Sequence, residues 1–320
     1  MTRARVNPTP DLYAFINESE ALAENTKAGY RRAVDRWIGF VGPKLVDWTP
    51  ANAMAFYKSL RADPKLSLKS ANTIMWGVRY VMKRLTQMLG NAFPVNPIDT
   101  VERARVRAGR DDVTIVRALT PEEGRALYEA CSGNDVIALR DRAIVLLSFV
   151  TGMRRSSLVA TPAIATKVTP DVVFLNVPLK GGGFYNVPIH PAVWELTAAY
   201  RTALGSNVSR TSPLFRSFSQ PTVSTGARVP GQQLTTDGLY KILGKRAVEA
   251  GIEDFHPHRC RHSFSTWCHM ESIPTDRIEV VTGHKGNQSI ARRVYGDDAM
   301  LAPQVVAAVW QAIGGVLGLV

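Results

Sequence analysis

The stretch from His256 to Tyr295 constrains the fold most. It reads HPHRCRHSFSTWCHM, then ESIPTDRIEVV, then TGHKGNQSIARRVY, and it gathers His258, Arg261, His284 and Tyr295 on one short run of chain. Charged side chains this dense do not fill a core. These charged groups need a core to hold them. The core candidate is the helix expected over Val136–Val150, whose end, AIVLLSFV, is almost wholly apolar. Gly152 closes that helix, and the next residues are Met153 and Arg154, in TGMRRSSL. The most apolar helix of the chain thus ends by delivering an arginine. Two arginines, two histidines and a tyrosine are the set needed to break a phosphodiester with a protein nucleophile and no metal.

The rest of the chain reads as mainly α with a small antiparallel β-sheet. Tyr30, Ala33, Val34, Trp37, Ile38 and Val41 recur at helical spacing and make one apolar face over Thr26–Val41. Thr49-Pro50 caps a helix to about Arg61, and Ser67–Leu89 is a longer one. Arg31, Arg32, Arg36, Lys69, Arg79 and Lys83 fall off the apolar stripes of these helices. Thr120-Pro-Glu-Glu123 is a capping box. Val172–Val177 and Phe184–Ile189 are strands around the turn of Lys180-Gly-Gly-Gly. Helices are expected over Pro191–Leu204, Thr236–Ala250 and Arg261–Met270, from a Thr275 cap to Gly283, and over Ala302–Ile313.

Net charge is +12 for the whole chain. Residues 1–110 hold 18 Lys+Arg against 9 Asp+Glu, a net of +9, which leaves +3 for the remainder. A basic N-terminal third fits a polyanionic partner, and basic helix faces suit phosphate contacts on duplex DNA. TVERARVRAGR, with Arg103, Arg105 and Arg107, reads as a basic linker along a phosphate backbone. The expected division is a helical domain over 1–105, a linker over 106–117 and a second domain over 118–320. Three cysteines, Cys131, Cys260 and Cys268, suggest no disulfide framework. The N-terminus has no apolar run of a signal peptide, and the apolar tail is too short to span a bilayer. These features point to the cytoplasm and its nucleoid, with no membrane partner.

His256, His258, Cys260, His262, Cys268 and His269 are dense in metal-ligand types, yet their spacings match no common zinc module. No metal and no cofactor are expected. KGGG lacks the spacing of a nucleotide-binding loop.

In order along the chain, TGMRRSSL, LKGGGFYNVPIHP, PHRCRHSF and TGHKG followed by Tyr295 resemble the four motifs of the tyrosine recombinase (phage integrase) family. The resemblance covers about residues 118–300. It implies an N-terminal all-helical DNA-clamping domain in front of a C-terminal catalytic domain. It further implies a site-specific recombinase that cuts and rejoins DNA through a 3′-phosphotyrosyl intermediate, without metal or ATP. Arg154 and Arg261 would clamp the scissile phosphate and Tyr295 would attack it. His258 would take the phenol proton, His284 would bond a phosphate oxygen, and Lys180 would protonate the leaving 5′-oxygen. The implied partners are duplex DNA with paired inverted sites, a homodimer on each site and a homotetramer in the synapse, with accessory directionality proteins left open. A type IB topoisomerase and a non-cutting DNA-binding protein on the same fold are the alternatives. Three departures stand out. Ser157 occupies a place where the motif usually has a carboxylate, Cys260 replaces a leucine, and His284 to Tyr295 is longer than the common spacing. The tail over Ala302–Val320 is amphipathic, and its docking on its own domain or on a neighbour is left open.

Overall fold

A computed structural model of the chain describes residues 11–102, 117–178, 183–205, 208–209, 211–220, 228–282 and 297–320. The chain divides into two compact units, Met1–Thr114 and Ile115–Val320. Most of the segment expected to join two domains, with Arg103, Arg105 and Arg107, lies outside the described residues.

The first unit is helical: α1 (Ala14–Asn17), α2 (Glu24–Val41), α3 (Pro50–Ala62) and α4 (Leu68–Leu89). Local chemistry sets the helix starts. Thr49 accepts from the Asn52 N–H and Ser67 from the Ser70 N–H, so each caps the helix that follows it. The apolar faces of α2, α3 and α4 meet over Trp37, Phe56, Met75, Val78, Met82 and Leu85. Gly77 lets α2 and α4 approach closely, because a Cβ there would lie 2.7 Å from the Cβ of Ala33. Any larger residue would push the two helices apart.

The second unit is built around α6 (Val136–Thr151), buried along nearly its whole length from Ala143 onward. Around it lie α5 (Pro121–Glu129), α7 (Arg155–Val159), α8 (Pro191–Leu196), α9 (Ala198–Ala203), α10 (Thr236–Glu249), α11 (His258–Met270), α12 (Thr275–Thr282) and α13 (Asp297–Leu317). The capping box at Thr120 is present, with Thr120 and Glu123 each bonding the other's backbone N–H. A three-stranded antiparallel sheet runs in the order β1 (Lys167–Val168), β2 (Val173–Pro178), β3 (Phe184–Ile189). Val173, Leu175 and Val177 of β2 alternate into the core.

Several expectations change. Pro191–Leu204 is two short helices rather than one, broken at Thr197, whose buried hydroxyl bonds the Trp194 carbonyl. A second sheet, β4 (Arg216–Phe218) with β5 (Pro230–Gln233), was not foreseen. Thr275 is the first helical residue of α12 rather than its cap, since the Pro274 carbonyl already accepts from Arg277 and Ile278. The tail helix α13 is longer than expected and packs on its own unit. Trp310 stacks on His190 at 5.8 Å, and Arg125 donates to the Val316 carbonyl. No helix among the described residues is long and apolar enough to cross a membrane.

Candidate active site

Arg154 owes its place to the end of α6. Gly152 adopts the left-handed conformation, φ 55°, that ends the helix. A Cβ on Gly152 would sit 2.5 Å from a ring carbon of Phe264, so glycine is required for conformation and for space. The chain then turns, Arg154 takes an extended conformation at the N-cap of α7, and its side chain is exposed. Phe264 belongs to α11, so the same close approach brings α11 against the Arg154 segment.

On α11 the sequence placed the helix start at Arg261, whereas the structure starts it at His258. Pro257 precedes the first turn with φ −58°, a backbone angle proline is built for. The difference matters, because His258, Arg261 and His262 now stand at i, i+3 and i+4 on one helix face. The His258 and His262 rings meet edge to face at 4.8 Å. Arg261 is half-buried and donates to the Gly152 carbonyl. Burial, and then the nearby charge of Arg154, push its pKa down to about 10. Arg261 is thus held at the backbone two residues before Arg154, within reach of its charge, and a pKa of about 10 leaves Arg261 cationic near pH 7. Such a pair is suited to a group with two anionic oxygens.

His258 is exposed beside this pair. Partial burial, followed by the charges of His262, Arg261, His256 and Arg154, holds its pKa below the usual imidazole value. A neutral imidazole at the edge of a cationic clamp can accept a proton.

Arg259, adjacent to Arg261 in sequence, points the other way. It is buried and bonds the Arg117 carbonyl at 3.0 Å, the Glu253 carbonyl at 3.0 Å and the Glu123 carboxylate at 3.3 Å. Ser263 accepts from the Leu119 N–H at 2.8 Å, and the Trp267 indole donates to the Leu119 carbonyl at 3.1 Å. These bonds fix the rotation of α11 about its axis and so the face carrying His258 and Arg261. Sequence analysis missed this support, although a second arginine inside PHRCRHSF was the available signal. It also missed Arg155, whose guanidinium lies 5.6 Å from the exposed Tyr240 ring and whose charge reaches His256.

Lys180, His284 and Tyr295 lie outside the described residues. The structure describes what flanks them. Pro178 pairs with Phe184 across the hairpin, α12 ends at Thr282, and α13 begins at Asp297. Two other tyrosines are committed elsewhere. The Tyr185 hydroxyl donates to the Val280 carbonyl and the Tyr200 hydroxyl to the Leu214 carbonyl, and burial pushes the Tyr200 phenol up to about 12. Cys260 and Cys268 are buried, with burial pushing both thiols up to about 12, which suits core packing and not metal ligation. Among the described residues no group of three or more His, Cys, Asp or Glu could hold a metal ion.

On the N-terminal unit, Arg32 and Arg36 are exposed one turn apart on α2, and Lys69 and Lys83 are exposed on α4. Arg31 donates to Asn17 at 3.0 Å and Arg79 is paired with Asp99. Trp76, 48% exposed, falls on the α4 line between Lys69 and Lys83, with the Arg79 guanidinium 5.0 Å from its ring. An exposed tryptophan within a basic stripe was not singled out from the sequence.

Residues 117–300 match the model of the phage integrase family. A tyrosine recombinase XerC of Roseiflexus sp. (strain RS-1) is 28% identical over 279 residues, covering 84% of this chain and 82% of that protein. A tyrosine recombinase XerD of Rhizobium meliloti (strain 1021) is 27% identical over 282 residues, 84% of each chain. Among solved structures, XerH site-specific recombinase bound to difH substrate in a pre-cleavage complex has a TM-score of 0.59 at 14% identity, over 92% of this chain and 96% of that one. The Tn1549 transposon integrase in complex with circular intermediate DNA has a TM-score of 0.55 at 16% identity, over 86% and 91%. The two structures share the fold. The family model spans more than half of the chain and contains the Arg154–His258–Arg261 cluster, and the chain therefore belongs to the phage integrase family of tyrosine recombinases.

Proposed function

We propose that the protein is a site-specific DNA recombinase that cuts and rejoins duplex DNA through a 3′-phosphotyrosyl intermediate. The observation that carries the reading is that Arg261 shares a helix face with His258 and bonds the Gly152 carbonyl, two residues before Arg154. The two guanidinium groups take the non-bridging oxygens of the scissile phosphate, where charge accumulates as phosphorus becomes five-coordinate. The Tyr295 oxygen forms a bond to phosphorus and its proton passes to His258. The bond from phosphorus to the 5′-oxygen breaks, and that oxygen takes a proton from Lys180. His284 donates a hydrogen bond to a phosphate oxygen. The phosphotyrosyl bond conserves the energy of the bond it replaces, so the scheme calls for neither ATP nor a metal.

The basic N-terminal unit, with Arg32, Arg36, Lys69 and Lys83 exposed, grips the duplex by its phosphates. Two protomers would occupy inverted repeats of roughly 10–13 base pairs each, about one helical turn of duplex, and four would form the synapse. Relatives named XerC and XerD, and neighbours solved with difH substrate and with circular intermediate DNA, support DNA as the partner. The test pairs two duplexes that carry the inverted repeats flanking the gene. Reciprocal recombinant products are expected. Relaxation of a plasmid without such repeats, with no exchange, would instead assign a topoisomerase.

A pH dependence follows. A base must be neutral to act, and His258 has its pKa held below 6.5 by burial and by His262, Arg261, His256 and Arg154. Adduct formation at subsaturating DNA should therefore be level at about pH 8 and fall on the acid side with a midpoint below 6.5. His258→Gln should be slow throughout and lack this acidic fall. A midpoint above 6.5 in the wild type would remove His258 from the role.

A further inference from the structure

Ser157 stands where the resembled motif carries a carboxylate, and the structure shows what the serine does there. Its side chain is buried, 8% exposed, and its hydroxyl donates to the Pro178 carbonyl at 3.0 Å. Pro178 is the last residue of β2 and pairs with Phe184 to close the hairpin. A proline has no N–H to give to the ladder, so at this end of β2 Pro178 can offer only its carbonyl. The Ser157 hydroxyl supplies a tie from outside the sheet at that end. The next residues of the chain are Leu179 and Lys180.

The opposite end of the tie is equally placed. Ser157 lies one turn inside α7, whose N-cap is Arg154. One five-residue helix thus carries an arginine of the clamp and holds the strand end that leads to the lysine. A carboxylate could not do the same. When ionised it only accepts hydrogen bonds, and facing the Pro178 carbonyl it would meet a second acceptor. Serine in this position is not a weakened carboxylate but a donor with a different target.

We infer that Ser157 is a positioning residue for proton delivery to the leaving 5′-oxygen: by anchoring Pro178 to α7 it sets where the Lys180 turn begins. The inference rests on the proposed role of Lys180 as the proton donor. It predicts a defect confined to the leaving-group proton, and that proton can be made unnecessary. In a substrate with sulfur in place of the 5′-bridging oxygen, the phosphorus–sulfur bond breaks to release a thiolate, which leaves without being protonated.

The experiment measures single-turnover adduct formation on oxygen and 5′-sulfur versions of one nicked duplex. The proteins are wild type, Ser157→Ala, Ser157→Thr, Ser157→Asp and Lys180→Ala. On the oxygen substrate Ser157→Ala should slow cleavage roughly 10-fold, the weight of one neutral hydrogen bond. Ser157→Thr, which keeps the hydroxyl, should restore most of the rate, and Ser157→Asp should not. On the sulfur substrate Ser157→Ala and Lys180→Ala should both approach wild type, with DNA affinity unchanged. If Lys180→Ala recovers on sulfur and Ser157→Ala stays slow, the serine acts on the fold or on Arg154, and the inference is overturned while the role of Lys180 stands. If Lys180→Ala fails to recover, the proton-donor reading itself is wrong and the inference falls with it. Wild-type rates for Ser157→Ala on both substrates overturn it as well. Should Ser157→Ala not fold, the contrast between Ser157→Thr and Ser157→Asp on the two substrates decides the same question.

Discussion

Tyr295→Phe is expected to reduce the covalent protein–DNA adduct to background while leaving DNA affinity at the wild-type level. The substitution removes one oxygen and keeps the ring, so whatever packing the ring provides is retained. A phenol is nearly all neutral at pH 7, its pKa being about 10, and it attacks only where a base and a bound phosphate are already in place. Among the described residues, Tyr185 and Tyr200 are poor substitutes for Tyr295. The Tyr185 and Tyr200 hydroxyls are bonded to backbone carbonyls, and burial makes the Tyr200 phenol harder still to ionise. Binding and cleavage are read separately, by mobility shift on intact duplex and by denaturing gel on a nicked suicide substrate. Loss of both together would mean that the substitution damaged the fold rather than the chemistry.

The second large effect concerns the clamp. Arg261→Ala and Arg154→Ala should each slow adduct formation by about 10²–10³-fold at saturating DNA, the usual consequence of removing one preorganised donor to a developing charge. The pair should be strongly non-additive, because either arginine alone leaves the phosphate half-held. Arg261→Lys should recover little. Arg261 bonds the Gly152 carbonyl, and an ammonium lacks the planar fork to keep that bond and hold a phosphate as well. Arg259→Ala is the contrasting control. Its effect should appear in stability, because Arg259 ties α11 to residues 117–123 and touches no part of the clamp face. A rate loss at Arg261 no larger than at exposed lysines of α4 would contradict the assignment.

The parts of the fold that were legible in the sequence are those specified by neighbours along the chain. Thr49-Pro50, Ser67 and the Thr120 capping box each start a helix through a bond three residues long or less. The apolar run ending at Val150 marked the central helix, because only a helix surrounded on all sides is apolar all round. What could not be read depends on distant partners. The break at Thr197, the two-residue strand β1 and the pairing of β4 with β5 carry almost no local signal. The start of α11 at His258 follows from a proline that is compatible with a first turn as well as with a loop. The opposite fates of Arg259 and Arg261 required the phase of the helix. The partner of Ser157 required the hairpin to be in place. At the site, the clamp of Arg154 and Arg261 was an expectation from the resemblance, whereas the packing of Phe264 on Gly152 that brings α11 against the Arg154 segment could not be read from the chain.

The measurement closest to the central claim is the chemical identity of the protein–DNA bond. The adduct trapped on a nicked duplex would be digested with trypsin and nuclease, and the modified residue located by mass spectrometry. The account predicts a nucleotide joined through its 3′-phosphate to Tyr295, within the tryptic peptide that begins at Val294 after Arg293. A 5′-phosphate linkage, or attachment to Tyr240 or to a serine, would contradict it.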